Sequence, residues 1–239
     1  MNAQKVRAIL FDKDGTLFDF DATWGVWACA QLAELARDEA HLNELADAIA
    51  FDLVQARFDP ASPIIAGTVA QAADLLLPLL PGRERAELIV QLDQAAQDVP
   101  LVAPVPLAPY LSDLRAQGLR LGICTNDSEG TARAHAGQAG VLALFDVIIG
   151  YDSGHGAKPT PRPLLAFADQ LGLDPATVVM VGDSLHDLHA ARAAGMRAVA
   201  VLTGPAKHDE LAPEADVVLA DIGALPDWLA RLNTGGCDA

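Results

Sequence analysis

The stretch Val6-Arg-Ala-Ile-Leu-Phe-Asp-Lys-Asp-Gly-Thr-Leu17 decides the fold of this 239-residue chain. It begins as an apolar run with little alternation, which is typical of a strand covered on both faces in a parallel sheet. The run ends in two carboxylates, Asp12 and Asp14, followed by Gly15, which lets the backbone turn sharply. Two carboxylates this close repel each other unless a cation, a proton or a set of backbone donors compensates them. Asp14 alone would also fit a simple turn, because Asp-Gly is a common turn dipeptide.

Residues 18–104 have a different pattern, with helical periodicities and no convincing strand. The helices predicted in this segment span residues 22–37, 41–57, 68–77 and 83–97. A proline-rich stretch over residues 99–109 breaks helix and favours extended backbone, so it is predicted to be the linker that returns to the rest of the chain. The sequence therefore predicts an inserted, all-helical domain over residues 18–104.

From residue 107 onwards helices and strands alternate. The predicted strands are 119–124, 145–150, 177–182, 198–202 and 216–219, and the predicted helices are 109–117, 128–139, 161–171, 185–194 and 222–232. Such alternation predicts a doubly wound parallel sheet of the α/β class. Residues 1–17 and 105–239 are therefore expected to form one Rossmann-like core domain.

Polar residues follow the predicted strands at the ends where parallel sheets bind ligands. Thr125 and Asn126 follow one strand, and Lys158 lies in a glycine-rich loop after the next. Asp183 follows a further buried strand, and Asp187 comes four residues later. Carboxylate oxygens suit Mg²⁺. Each residue also has a plain structural interpretation, as a turn residue, a surface lysine or a helix N-cap.

Taken together, these stretches resemble the haloacid dehalogenase-like hydrolase superfamily. Asp-x-Asp-Gly-Thr-Leu at residues 12–17 resembles its first motif, Thr125-Asn126 its second, Lys158-Pro159 its third, and Gly182-Asp-Ser with Asp187 its fourth. The motifs occur in order over essentially the full chain, each after the expected element. The subgroup looks most like the phosphoglycolate phosphatase type, with a helical cap inserted between the first and second motifs.

The resemblance implies a phosphatase that acts on a small phosphate monoester. Asp12 would attack phosphorus to give an aspartyl-phosphate, and Asp14 would protonate the leaving alcohol and then activate water. Lys158 would neutralise developing charge. The Thr125 hydroxyl and the following backbone N–H, at Asn126, would hold the phosphoryl oxygens.

The resemblance also implies a Mg²⁺ site. Its ligands would be the carboxylates of Asp12 and Asp183 and the main-chain carbonyl of Asp14. Asp187 would orient either the waters on the metal or Lys158.

Other members of the superfamily carry out different reactions. Dehalogenases of the superfamily lack the second aspartate, and phosphonatases use a cap lysine, whereas residues 18–104 contain no lysine. A hexose-phosphate mutase remains open, because its first motif is the same. A non-catalytic phosphate-binding regulatory module is disfavoured by the intact motifs.

Composition limits the partners. A formal net charge of −16 argues against nucleic acid, and no uncharged run is long enough to span a membrane. The widely spaced Cys29, Cys124 and Cys237 fit free thiols. With no signal peptide visible, the expectation is a cytoplasmic monomer or homodimer whose partner is a small phosphorylated metabolite.

Substrate choice is expected to depend on the cap. Phe18, Phe20, Trp24 and Trp27 are interpreted as the core of the first cap helix or, alternatively, as an apolar wall of the substrate pocket. The available cap cations are four arginines with His41 as a titratable addition, and each is interpreted as a solvated charge rather than a partner for a substrate carboxylate: Arg37, Arg57, Arg83 and Arg85.

Overall fold

The computed structural model describes residues 5–233, and a six-stranded parallel sheet forms their centre. The strands are β1 (Ala8–Phe11), β4 (Arg120–Cys124), β5 (Val147–Ile149), β6 (Val178–Gly182), β7 (Arg197–Val201) and β8 (Val217–Leu219). Their order is β5-β4-β1-β6-β7-β8 and every pairing is parallel. The first strand is thus central, and all four of its residues are buried, as its unalternating apolar sequence predicts.

Helices cover both faces of this sheet. They are α5 (Leu107–Ala116), α6 (Glu129–Gln138), α7 (Arg162–Leu171), α8 (Leu185–Ala194), α9 (His208–Leu211) and α10 (Leu225–Asn233). Two separate apolar clusters fill the two interfaces, with Phe11 and Leu111 in one and Leu10 and Phe167 in the other. The predicted fold class, a doubly wound α/β sheet, is confirmed.

The inserted segment contributes α1 (Phe20–Leu35), α2 (Glu39–Ala48), α3 (Val69–Leu76) and α4 (Arg85–Ala96). Side chains define where these helices begin. Asp19 accepts the Ala22 N–H, and Thr68 and Gln71 form a capping box at the start of α3. A third apolar cluster, which includes Trp27 and Leu92, joins the helices. The boundaries of the two domains, at residues 17/18 and 104/105, stay a prediction, and residues 1–4 and 234–239 of the predicted core lie outside the described residues.

The prediction that the insertion contains no strand is wrong in one place. The helix predicted over 41–57 ends at Ala48, and a short antiparallel hairpin follows, β2 (Phe51–Asp52) and β3 (Arg57–Phe58). Apolar residues in this stretch imitate helical spacing, but the Asp52 carboxylate accepts two N–H groups of the turn. The rings of Phe51 and Phe58 then pack with centroids 4.9 Å apart. Local turn chemistry and aromatic pairing override the periodicity.

Elsewhere the predicted boundaries agree with the structure within a few residues. The helix predicted over 222–232 begins as a 3-10 turn, Ile222–Ala224, before α10. Cys29 and Cys124 are free thiols as predicted, and Cys237 lies outside the described residues. Within residues 5–233, no helix combines the length and the apolar character needed to cross a membrane.

Candidate active site

The strand ends of the core and the helices of the insertion face each other across a cavity of about 60 Å³. We call the core side the floor, and it consists of Asp12, Asp14, Thr125, Asn126, Asp127, Lys158, Asp183, Ser184 and His186. We call the opposite side the roof, and it consists of Phe20, Trp24, Trp27, Ile64, Ile65, Ala66, Gly67, Thr68, Val69, Ala72, Asp93 and Ala96. Six of the seven site residues predicted from the sequence lie on the floor, and Asp187 lies directly behind it.

Lys158 is buried between two carboxylates. Its Nζ lies 2.7 Å from Oδ1 of Asp12 and 2.5 Å from Oδ1 of Asp187. The second oxygen of Asp187 accepts the N–H and the hydroxyl of Ser184 at the start of α8, and Gly182 provides the space, since a Cβ there would overlap the Asp187 carboxylate. Burial opposes the charge on Lys158, but the two carboxylates raise its pKa, so the ammonium stays charged.

The carboxylates around Lys158 carry more negative charge than this one ammonium group neutralises. Burial, together with the negative charges of Asp187 and Asp14, raises the pKa of Asp12 to about 7 even though Lys158 opposes the shift. Burial and the charges of Asp12 and Asp187 raise the pKa of Asp183 well above its usual range. Such shifts indicate that a further cation would stabilise the ionised forms.

The donor set fits a divalent metal. One oxygen each from Asp12, Asp183 and Asp187 lies within 4.8 Å of the others. Because Lys158 and Ser184 already occupy both oxygens of Asp187, the carboxylates that could hold such a metal are those of Asp12 and Asp183. Hard carboxylate oxygens of this kind suit Mg²⁺.

Two glycines hold the Asp183 carboxylate in place. A Cβ at either Gly15 or Gly204 would overlap the carboxylate of Asp183. Gly15 also has φ of 71°, in the left-handed region, so it allows the turn after β1 that the sequence predicts. The Thr203 hydroxyl donates to the Gly15 carbonyl at 2.6 Å and links the two glycine segments around Asp183.

The Asn126 side chain positions the Lys158 loop. Its Oδ1 accepts the Lys158 N–H at 2.9 Å, while its Nδ2 donates to the Lys158 carbonyl at 3.0 Å and to the Ala66 carbonyl of the roof at 2.8 Å. The Asn126 side chain is therefore already engaged, and the phosphate contact through the backbone N–H of this residue stays a prediction. Thr125 is buried on the floor, where its Oγ1 accepts the Asp127 N–H at 3.1 Å, and the hydroxyl hydrogen remains available for a ligand.

A second buried lysine was not predicted from the sequence. Lys13 is fully buried, with its Nζ 2.7 Å from the Asp14 carboxylate, 2.8 Å from Oδ2 of Asp127 and 3.0 Å from Nδ1 of His135. The chain has only four lysines, and Lys13 stands between the two aspartates of the first motif. That placement was the available signal in the sequence, but two of its three partners, Asp127 and His135, lie more than a hundred residues away.

His135 on α6 connects this lysine to the insertion. Its Nε2 lies 2.7 Å from the Ala96 carbonyl, so Nε2 carries the hydrogen and Nδ1 accepts from Lys13. Burial and the charge of Lys13 lower the pKa of His135 to about 4, so the ring is neutral. On the same helix, the Thr131 hydroxyl donates to Oδ1 of Asp93 at 3.1 Å. These bonds fasten α6 of the core to α4 of the insertion.

Comparison with known proteins gives a consistent family. A family model described as haloacid dehalogenase-like hydrolase matches residues 6–195. A phosphoglycolate phosphatase from Xylella fastidiosa is 32% identical over 207 residues, covering 85% of this chain and 83% of the relative. One from Rhodospirillum rubrum is 37% identical over 143 residues, covering 56% of this chain and 59% of the relative, so that match spans less than two thirds of its length.

Solved structures share the fold. CbbY from Rhodobacter sphaeroides, determined in complex with phosphate, superposes with a TM-score of 0.71 over 92% of this chain and 96% of its own. Its sequence identity of 22% makes this a likeness of fold alone.

Proposed function

The chain belongs to the haloacid dehalogenase-like hydrolases, and from that membership we propose that it is a Mg²⁺-dependent phosphatase that hydrolyses small phosphate monoesters through an aspartyl-phosphate at Asp12. The observation that carries the proposal is the arrangement of Asp12, which lines the cavity and pairs through Oδ1 with the buried Lys158. A carboxylate nucleophile next to a fixed cation is what attack on a phosphoryl group requires.

In the first step an oxygen of Asp12 forms a bond to phosphorus as the bond from phosphorus to the leaving oxygen breaks. The leaving alkoxide takes a proton from Asp14, which also lines the cavity. Lys158 and the Thr125 hydroxyl, both on the floor, stabilise the charge on the phosphoryl oxygens.

In the second step Asp14 takes a proton from a water molecule, whose oxygen attacks phosphorus. The bond from phosphorus to Asp12 breaks, phosphate leaves, and the Asp12 carboxylate is restored. Lys13 contacts the Asp14 carboxylate from the buried side and holds it next to the cavity.

The carboxylates of Asp12 and Asp183 and the carbonyl of Asp14 are the groups that would hold Mg²⁺. When bound, the ion supplies positive charge that reduces repulsion between a carboxylate nucleophile and a phosphate dianion. The raised pKa values of Asp12 and Asp183 support this assignment, because both carboxylates lack sufficient positive charge among the described residues.

The test is phosphate release from a panel of small phosphomonoesters, measured with Mg²⁺ and with a chelator. The panel includes phosphoglycolate, because the relatives carry that name, together with sugar phosphates and nucleotides. We expect release that depends on Mg²⁺ and returns when Mg²⁺ is restored. Interconversion of hexose phosphates without net release would favour a mutase, and tight phosphate binding without turnover would favour a binding module.

A further inference from the structure

The side chains of the roof are apolar apart from the Thr68 hydroxyl and one charged group. Its apolar side chains include those of Trp24, Trp27 and Ile65. Asp93 is the one charged residue among the described residues that form the roof. The indole N–H of Trp27 donates to a main-chain carbonyl of α4, at Leu92, so its polar edge is already used. The rings of Trp24 and Trp27 pack edge to face with centroids 5.3 Å apart, which fixes their position in the roof.

Two of the four arginines of the insertion are engaged elsewhere, and the other two, Arg37 and Arg57, do not line the cavity. Arg85 forms a two-point pair with Asp74 on the surface, at 2.6 and 2.9 Å, and Arg83 donates to Gln91. Neither lines the cavity. Of the described residues that do line it, Lys158 is the single lysine or arginine, and the carboxylates of Asp12 and Asp187 already surround its ammonium.

The start of α3 is the other place where an anion could bind next to the roof, because helix N-termini offer free N–H groups. Here the protein's own capping box engages two N–H groups, those of Thr68 and Gln71. Thr68 Oγ1 accepts the Gln71 N–H at 3.3 Å, and Gln71 Oε1 accepts the Thr68 N–H at 2.8 Å. Among the described residues that form the roof there is also no lysine, arginine or histidine side chain to pair with a second anionic group on a substrate.

We infer that the preferred substrate is a phosphate monoester whose leaving alcohol carries no negative charge and presents apolar surface to the roof. This inference rests on the proposed phosphatase function and specifies its substrate class. Five carboxylates line the cavity, Asp12, Asp14, Asp93, Asp127 and Asp183. A leaving group with its own carboxylate would be repelled by Asp93 and would lose its hydration without a partner. An alkyl group instead packs against the tryptophan and isoleucine side chains.

The test compares kcat/KM for four substrates of the full-length protein with Mg²⁺: phosphoglycolate, its neutral amide, ethyl phosphate and isobutyl phosphate. We expect the amide to exceed phosphoglycolate by about tenfold or more, since like charges in a buried site are strongly unfavourable. Isobutyl phosphate should exceed ethyl phosphate by roughly fourfold for each added methylene that is buried. Phosphoglycolate hydrolysed tenfold better than its amide would overturn the inference and would point to His186 of the floor as the carboxylate partner.

Replacing the roof carboxylate sharpens the test. Asp93→Asn keeps the shape and removes the charge, so the ratio of kcat/KM for phosphoglycolate over its amide should rise by about three- to tenfold. Asp98→Asn is the matched control, because Asp98 is exposed just beyond α4 and does not line the cavity. An unchanged ratio in Asp93→Asn, or an equal rise in both variants, would contradict the role of the roof.

A binding measurement separates this inference from the proposed function. Calorimetry with Asp12→Asn gives dissociation constants for isobutyl phosphate and for phosphoglycolate without turnover. Binding of isobutyl phosphate that is tenfold tighter than binding of phosphoglycolate supports the preference for an uncharged leaving group. If the wild-type protein then releases no phosphate, the phosphatase proposal alone fails. Tighter binding of phosphoglycolate rejects the roof preference and leaves the phosphatase proposal intact.

Discussion

The floor and the roof of the cavity differ in how the chain fixes them. The floor consists of residues at the ends of adjacent parallel strands and in the loops that follow, so the pairing of β1 with β6 brings Asp12 and Asp183 to the same edge of the sheet. The roof is assembled from α1, α3 with the segment before it, and α4, and packing of apolar side chains sets its shape. The floor therefore has a chemistry that short motifs can encode, whereas the roof has a selectivity that depends on tertiary packing.

The largest expected difference between the two sides is in turnover. Asp12→Asn removes the nucleophile and should lower kcat on the order of 10⁴-fold or more, while the protein stays folded because a buried charge is removed from a crowded set of carboxylates. Ile65→Ala in the roof should change kcat by less than about tenfold and act mainly on KM. Steady-state kinetics measures kcat and KM of both variants, and circular dichroism checks that both are folded. Similar losses of kcat in the two variants would contradict the difference between floor and roof.

The two buried lysines sharpen the comparison within the floor. Lys158→Met and Lys13→Met each leave two carboxylates without their cation, so each should lower the free energy of unfolding by about 3 kcal/mol. Turnover should separate them, with a loss of about 10³-fold for Lys158→Met, whose ammonium faces the phosphoryl group, and about tenfold for Lys13→Met, which acts through Asp14. Urea unfolding and kcat together check this, and equal kcat losses would place Lys13 in direct contact with substrate.

The glycines around Asp183 test how closely the floor is fitted. Gly204→Ala places a methyl group on the Asp183 carboxylate, so the Mg²⁺ concentration for half-maximal activity should rise about tenfold or more. Gly137→Ala is the control, since a Cβ at this position in α6 meets nothing within 4 Å. That control should leave the Mg²⁺ titration unchanged. An equal rise of the half-maximal Mg²⁺ concentration in both variants would contradict the role of Asp183 as a metal ligand.

The smallest expected effect concerns His135, which joins the floor to the insertion. Its lowered pKa of about 4 predicts a neutral ring with the hydrogen on Nε2 throughout the neutral range. Because the folded value lies below the ordinary value of about 6.5, the stability that the neutral ring contributes is complete above that pH and is lost as the pH falls toward 4. Nitrogen-15 shifts of the ring check it, and protonation with a midpoint near 6.5 would contradict the buried contact with Lys13.

Most of the fold followed from the sequence because its signals are local. The unalternating run before Asp12 predicts a covered parallel strand, and β1 is central and fully buried. The hairpin at residues 51–58 was missed, because its apolar spacing imitates a helix and the deciding contact joins Phe51 to Phe58 across a turn.

Only part of the candidate site could be predicted from the sequence. Asp12, Thr125 and Asp183 stand directly after strand ends, and Lys158 lies in the loop after β5, so position along the chain predicts position in space. Lys13 and His135 are 122 residues apart, and their contact depends on how α6 packs against β1 and α4. The composition of the roof likewise depends on which face of each inserted helix turns toward the cavity, and no short motif encodes that.

The most direct test of the central claim is to trap the phosphoryl group on the floor. Wild-type protein is mixed with Mg²⁺ and a substrate from the panel, quenched in acid during turnover, digested and examined by mass spectrometry. The mechanism predicts a phosphoryl group on the peptide that contains Asp12, and its absence from the same peptide of Asp12→Asn. Sustained turnover with the phosphoryl group on another residue, or with Asp12 unmodified under conditions that preserve acyl phosphates, would contradict it.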